Sequence, residues 1–144
     1  MALRGALAAA VAAGAWAAVE PVAARLARTG YTDVRLLGRM VGERRWALTG
    51  TAIHLTNGAV FGAVFAASGA RGPRLGVLCA GAETLATWPG MALLDRIHPD
   101  RRSGRWPRLL TNRRLFAQEL AVHALFGALL GAMLPRASPR SRRG

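Results

Sequence analysis

At 144 residues the chain is long enough for one domain with a core, and its 52% hydrophobic content falls in blocks separated by arginine-rich segments. The formal net charge is +13, and the basic residues, all arginine, lie outside the apolar blocks. This distribution favours anionic lipid headgroups over nucleic acid as partner of the charge, and the single Cys79 excludes a disulfide framework or a paired-cysteine metal site.

The four apolar runs occupy residues 5–24, 46–68, 75–94 and 115–134. Each is close to the roughly 20 residues with which a helix crosses the hydrocarbon core. The sequence therefore predicts an all-α integral membrane protein with one four-helix transmembrane domain over residues 1–134. Two alternatives remain open: the first run can be a cleaved secretory signal, with Arg4 before it, or the whole chain can be a soluble helical domain.

An internal repeat links the second and fourth runs. HLTNGAVFGAVFA begins at His54, and HALFGALLGAML begins at His123, so the pattern His-x3-Gly-Ala-x2-Gly-Ala recurs after 69 residues. Repeats of this kind indicate duplication of a structural unit. We expect two similar helical hairpins, about residues 1–69 and 70–134, related by an axis along the membrane normal. Retaining the first run as a span agrees with this 2+2 arrangement.

Each copy of the repeat contains a GxxxG pair, which removes side chains from one helical stripe and lets another helix approach closely. The two pairs are Gly58 with Gly62 and Gly127 with Gly131. We expect both to pack helices within the bundle, and a homodimer through these faces is possible.

The two long segments between spans, about residues 25–45 and 95–114, hold 13 of the 20 arginines. The positive-inside bias places both loops in the cytoplasm of a multi-pass protein of the bacterial plasma-membrane type. VRLLGRMVGERRW and WPRLLTNRRLF alternate arginine with apolar residues, which favours a short interfacial helix in each loop, with Trp46 and Trp106 at the membrane boundary. Residues 135–144 have the composition of a disordered basic tail.

Several polar residues interrupt the apolar spans, where ionisable groups are costly and face protein or water. Glu119 and His123 are four residues apart on one helical face, and the two repeat histidines have the same predicted depth. We therefore expect a polar cluster inside the membrane, formed by Glu20, His54, Asn57, Glu83, Glu119 and His123.

Three hypotheses account for such a cluster. The side chains can hydrogen-bond across helices and stabilise the bundle, or histidine and glutamate at successive depths can relay a proton or pass a cation. The third is a bound cofactor, either haem with His54 and His123 as axial ligands or a divalent metal on His54, His123 and Glu119. The Glu-x-x-His spacing of bundle di-iron sites is absent, so no cofactor is the simplest expectation.

The chain lacks the sequence marks of P-loop NTPases, Gly-x-Ser-x-Gly hydrolases and His-Glu-x-x-His zinc proteases, which argues against an enzyme. The first functional hypothesis is accordingly a structural or accessory membrane subunit. The alternatives are a proton- or cation-handling component of a transporter or channel, and a bis-histidine haem protein.

Overall fold

The computed structural model describes residues 1–42 and 44–135, and every regular element within them is helical. The elements in chain order are α1 (Ala2–Ala27), α2 (Asp33–Val41), α3 (Trp46–Ala67), α4 (Pro73–Thr87), a 3₁₀ turn (Trp88–Gly90), α5 (Met91–Ile97), α6 (Pro99–Arg102) and α7 (Arg113–Met133). Apart from its first residue, the predicted basic tail lies outside the described residues.

Four helical segments are long and apolar enough to cross a membrane: α1, α3, α7 and the run from α4 through α5, Pro73–Ile97. They coincide with the four predicted spans to within a few residues at each end. By length and composition, the chain is thus a multi-pass, all-helical membrane protein.

The spanning helices do not pack as a closed square. α1 packs closely against α3 on one side and α7 on the other, and α4 packs against α7. Within the described ranges, packing between α3 and α4 is slight. The packed pairs α1/α3 and α4/α7 are the two predicted hairpins. A two-fold axis relating the hairpins would exchange α1 with α4 and α3 with α7. Under such an axis, α3 and α4 would pack as closely as α1 and α7 do. Since only α1/α7 is close, the packing between the hairpins is asymmetric, and a gap remains between α3 and α4.

Both GxxxG pairs lie at helix crossings within the chain. A Cβ at Gly62 would overlap the side chain of Ala9 in α1, and one at Gly58 would approach Ala13. In α7, Gly127 faces the backbone of Gly76, and Gly131 faces Gly72 at the start of α4. Backbones this close require small residues on both sides, so these faces are occupied by helices of the same chain.

The first loop contains a helix as predicted, and this helix lies on the transmembrane bundle. The Thr32 hydroxyl accepts from the Arg35 backbone N–H and caps α2. Along α2, Gly38 meets the backbone of Trp46, and Val34 meets Gly50 of α3. This crossing places the start of α2 over the loop end of the bundle.

The predicted helix at WPRLLTNRRLF is wrong for its first half, because residues 106–112 are not helical and α7 begins only at Arg113. Pro107 has no N–H to donate. The backbone N–H groups of Leu109 and Leu110 donate instead to Asp95, at 2.8 and 3.1 Å, and Asn112 caps α7. A short helix does occur earlier in this loop, at α6.

Trp106, which was predicted to lie at the membrane boundary, is buried inside the protein. Its side chain is 2% exposed in a small apolar core formed by both loops. The indole stacks on His98 at 4.5 Å between ring centroids and donates to the Gly30 carbonyl oxygen at 3.0 Å. The two loops therefore fold together over one end of the bundle.

Candidate functional site: a buried carboxyl and histidine cluster

The structure buries four of the six predicted cluster residues. Their exposed fractions are 0% for Glu20, 2% for Glu119, 4% for His54 and 8% for His123. Asn57 and Glu83 are exposed at the surface, yet both line a cavity that also touches the two histidines. All six thus lie in one region of the bundle, divided between a carboxyl cluster and the cavity.

The carboxyl cluster consists of Glu20 in α1, Glu119 in α7 and Asp33 at the start of α2. One carboxyl oxygen from each residue lies within 4.8 Å of the other two. Both oxygens of Glu20 accept from the backbone N–H of Asp33 at 2.9 Å. Since this N–H is at the positive end of a helix, α2 is attached to the bundle through Glu20.

The three carboxyls have few polar partners. The Tyr31 hydroxyl donates to Asp33 Oδ1 at 2.7 Å, and the Gln118 amide donates to Glu119 Oε1 at 3.4 Å. The nearest basic group is His54, whose Nδ1 is 3.8 Å from Asp33 Oδ2. Throughout the described ranges no arginine forms an ion pair with these acids. Within that part of the chain, charge on the cluster is therefore offset by hydrogen-bond donors and the His54 imidazole rather than by an arginine.

Hydrogen bonds to the backbone orient both histidines. His54 Nε2 is 3.2 Å from the Ala13 carbonyl oxygen, and His123 Nδ1 is 2.8 Å from that of Glu119. Since carbonyls only accept, we assign the ring proton of each neutral imidazole to these nitrogens. The other nitrogens, which can accept a proton, then face carboxylates: His54 Nδ1 faces Asp33, and His123 Nε2 is 3.5 Å from Glu83 Oε2.

Trp16 of α1 connects the two histidines. Its ring centroid is 4.7 Å from that of His54 and 4.3 Å from that of His123. Its Nε1 is buried beside Glu20 and makes no hydrogen bond of regular geometry within the described residues. The sequence predicted the same depth for the two histidines, and in the structure both pack against one indole.

The cavity between the histidines and the α3/α4 gap has a volume of about 120 Å³. Its lining comes from α1, α2, α3, α4 and α7, and consists of Ala13, Trp16, Asp33, Leu36, Leu37, His54, Asn57, Gly58, Phe61, Glu83, His123 and Phe126. At roughly 30 Å³ per molecule this is room for about four waters, and the polar lining can hold them by hydrogen bonds.

Ligand atoms for a metal converge only in part as predicted. Among the described residues, the histidine, cysteine and acidic groups that meet within 4.8 Å are Glu20, Asp33 and Glu119. Of the predicted metal ligands, Glu119 belongs to this group, whereas His54 and His123 face the cavity. The cavity that the two histidines line has a volume of about 120 Å³, and haem binding stays an untested prediction.

Sequence reasoning missed Asp33 and Trp16. Asp33 lies in an arginine-rich loop outside the apolar runs, so a search for polar residues within the spans passes over it. The pair Thr32-Asp33 was the available signal, because a threonine cap followed by an acid is typical of a helix start. Trp16 is apolar in composition, and no local pattern indicates that its ring lies between the histidines.

The fold and this cluster together define a class: a multi-pass helical membrane protein with titratable side chains inside its bundle. Comparison of the chain with protein-family models, with curated proteins and with solved structures found no match in any of the three. A functional proposal therefore depends on the geometry of the cluster.

Proposed function

We propose that this chain handles protons across a membrane, as a transporter or channel component that uses the carboxyl and histidine cluster. The observation that carries the proposal is the meeting of Glu20, Asp33 and Glu119 within 4.8 Å without an arginine partner in the described part of the chain. Glu20 also holds the start of α2, but that contact does not require the carboxyl group of Glu119 beside it.

Electrostatics supports proton sharing at this cluster. Two unit charges at 4.8 Å repel by about 3–4 kcal/mol at an effective dielectric constant of about 20. Three charged carboxylates would therefore oppose folding by more than most single interactions stabilise it. Shared protons remove this repulsion, and such groups titrate as a unit rather than singly. The cluster is thus suited to bind and release protons together.

A series of titratable groups extends from the cluster toward the gap between α3 and α4. Asp33 is 3.8 Å from His54 Nδ1, and His123 Nε2 is 3.5 Å from Glu83, whose side chain is 44% exposed. The cavity separates the two histidines, and waters within it can bridge them. Protons can therefore pass by short steps between Glu83, in the gap between α3 and α4, and the carboxyl cluster below the loops.

Proton flux into proteoliposomes tests the proposal. The purified protein is reconstituted with a pH-sensitive dye inside, and a potassium diffusion potential drives proton entry. We expect Asp33→Asn and Glu119→Gln to abolish most of the flux, because an amide cannot exchange a proton at these positions. Asp95→Asn is the control, since Asp95 accepts from Leu109, Leu110 and Arg101 away from the cluster. If proton flux is unchanged in both the Glu83→Gln and the Glu119→Gln variant, proton passage through the cluster is rejected.

A structural or accessory membrane subunit is the second candidate. It is favoured by the bonds of both histidines to backbone carbonyls and by the close glycine crossings. For this function, His54→Ala and His123→Ala change thermal stability and assembly, and no flux exists to be lost. Proteoliposomes in which the wild-type protein conducts no more protons than empty vesicles favour this alternative.

A further inference from the structure

The residues that line the cavity have a charge pattern that suits a bound cation as well as a proton path. Carboxylates line it from two elements, Asp33 of α2 and Glu83 of α4. A histidine lies beside each of them, with a nitrogen that can accept a hydrogen bond. None of the twelve lining residues is an arginine. Cations are therefore attracted to this space, and anions are repelled.

One wall of the cavity is aromatic. Phe126 is 5.9 Å from Trp16 and 5.4 Å from Phe61 between ring centroids, and all three rings line the space. Aromatic faces attract organic cations that are poorly hydrated, and they pack against methyl groups. A strongly hydrated metal ion gains little from such a wall, whereas an alkylammonium ion uses both the rings and the carboxylates.

Size and access narrow the ligand further. A volume of about 120 Å³, compared with roughly 30 Å³ for one water, favours an occupant of a few non-hydrogen atoms. Asn57 and Glu83 line the cavity where α3 and α4 separate, near the middle of both spans, so the cavity is open toward the gap between these helices. A small molecule can enter there without unfolding a helix crossing.

We propose that the cavity binds a small organic ammonium ion, of the size of trimethylammonium, as the substrate exchanged for protons. The proposal rests on the proposed proton-handling function and names its second ligand. The positive nitrogen donates toward Asp33 or Glu83, and the methyl groups pack against Trp16, Phe61 and Phe126.

We expect binding of the ammonium ion to release protons from the acids of the site, because its positive charge takes the place of the protons there. No covalent bond forms or breaks. The titratable groups that face the bound cation are Asp33 of α2, His54 of α3, Glu83 of α4 and His123 of α7, with Glu20 of α1 and Glu119 of α7 beyond Asp33.

Equilibrium dialysis with radiolabelled trimethylammonium tests the proposal on the full chain in nanodiscs of zwitterionic lipid at mildly alkaline pH. We expect saturable binding of one ion per chain and release of protons into a weakly buffered solution. Neither tert-butanol, the neutral molecule of similar shape, nor an equal concentration of potassium chloride should displace the label. Absence of saturable binding, or equal displacement by either competitor, overturns the proposal.

Two variants and a control locate the ligand. Asp33→Asn should weaken binding about 10-fold or more, as expected for a desolvated charge pair, and Phe61→Leu about 5-fold through the lost ring face. Phe116→Leu is the control, because Phe116 packs against Trp88 outside the cavity. Equal binding by Phe61→Leu and Phe116→Leu contradicts the aromatic site.

The two proposals can fail separately. If the wild-type protein carries protons into vesicles but binds no trimethylammonium, the ammonium proposal alone fails. If it does neither, the proton-handling function fails as well.

Discussion

Arg35 and Asp100 form a two-point ion pair across 65 residues of sequence. Arg35 Nε donates to Asp100 Oδ2 at 2.6 Å, and Nη2 donates to Oδ1 at 3.2 Å. Asp100 is 1% exposed and lies in α6, whereas Arg35 lies in α2. The pair therefore joins the two long loops and holds α2, with the cluster residue Asp33 near its start, over the bundle.

Removing this pair should loosen the loops. We expect Arg35→Gln to lower the free energy of unfolding by about 1–3 kcal/mol, because a buried carboxylate loses two charge-assisted hydrogen bonds. Arg105→Gln is the matched control, since Arg105 approaches the same carboxylate only at 3.9 Å and is 62% exposed. It should cost under about 0.5 kcal/mol. Thermal unfolding in detergent micelles measures both, and equal losses would show that geometry at Asp100 is unimportant.

The same carboxylate should make the loops sensitive to acid. Burial acts to raise the pKa of Asp100, but the hydrogen bond and charge of Arg35, with the charge of Arg39, outweigh it and hold the pKa below its ordinary value. Unfolded Asp100 therefore takes up a proton at higher pH than folded Asp100. Its stabilising contribution is present above the ordinary pKa and is lost as pH falls through the folded value. The wild type should lose stability in this acidic window, and Asp100→Asn should lose less of it.

His98 should remain neutral at pH values where an exposed histidine is charged. Burial lowers its pKa from 6.5, and although its bond to the Leu36 carbonyl and the charge of Asp100 act in the opposite direction, they do not restore it. Its Nε2 is 3.2 Å from the Leu36 oxygen, and Nδ1 accepts from the Asp100 N–H at 3.2 Å. NMR titration of the three histidines should show the His98 ring protonating below pH 6.5.

The corresponding stability change has a defined sign. Below pH 6.5 the unfolded chain binds a proton at His98 before the folded chain does, so stability falls with pH until the folded pKa is reached. His98→Gln should be less stable at neutral pH and show a shallower decline in this window. A His98 resonance that titrates like that of an exposed histidine would contradict the buried neutral assignment.

The sequence predicted the spans and most of the cluster, because both depend on local composition. An apolar run of about 20 residues predicts a membrane span without knowledge of its neighbours, and an acid or histidine within such a run must face protein or water. For this reason Glu20, His54, Glu119 and His123 could be named before the fold was known.

Contacts between distant segments could not be predicted in this way. Asp33 joins the cluster only because α2 crosses α3 at Gly38 and Gly50, and neither glycine has a neighbouring pattern that identifies its partner. Trp106 resembles an interfacial anchor by composition, yet it is buried by Tyr31 and Leu36 from the other loop. Its environment depends on packing that its own segment does not encode.

Tyr31 provides a test of the carboxyl cluster without changing an acid. Burial and the nearby charge of Asp33 raise the pKa of Tyr31 well above its ordinary value, so its hydroxyl remains a donor to Asp33 Oδ1. Tyr31→Phe leaves that oxygen without its donor and should favour the protonated state of the carboxyl cluster as a whole. We expect proton flux to reach half its maximum at higher pH, with folding intact by circular dichroism. An unchanged pH profile would separate Tyr31 from proton binding.

The crossing of α4 with α7 gives a prediction with its control on the same helix. A Cβ at Gly76 would overlap the backbone of Gly127, which cannot move aside as a side chain can, whereas a Cβ at Gly81 meets nothing within 4 Å. Gly76→Ala should therefore destabilise the protein by about 1–3 kcal/mol, as overpacked interiors do. Gly81→Ala should stabilise it by up to about 1 kcal/mol through helix propensity. Thermal unfolding of both variants in the same micelles measures the difference, and a Gly76→Ala protein as stable as Gly81→Ala would show that α4 and α7 are not in close backbone contact.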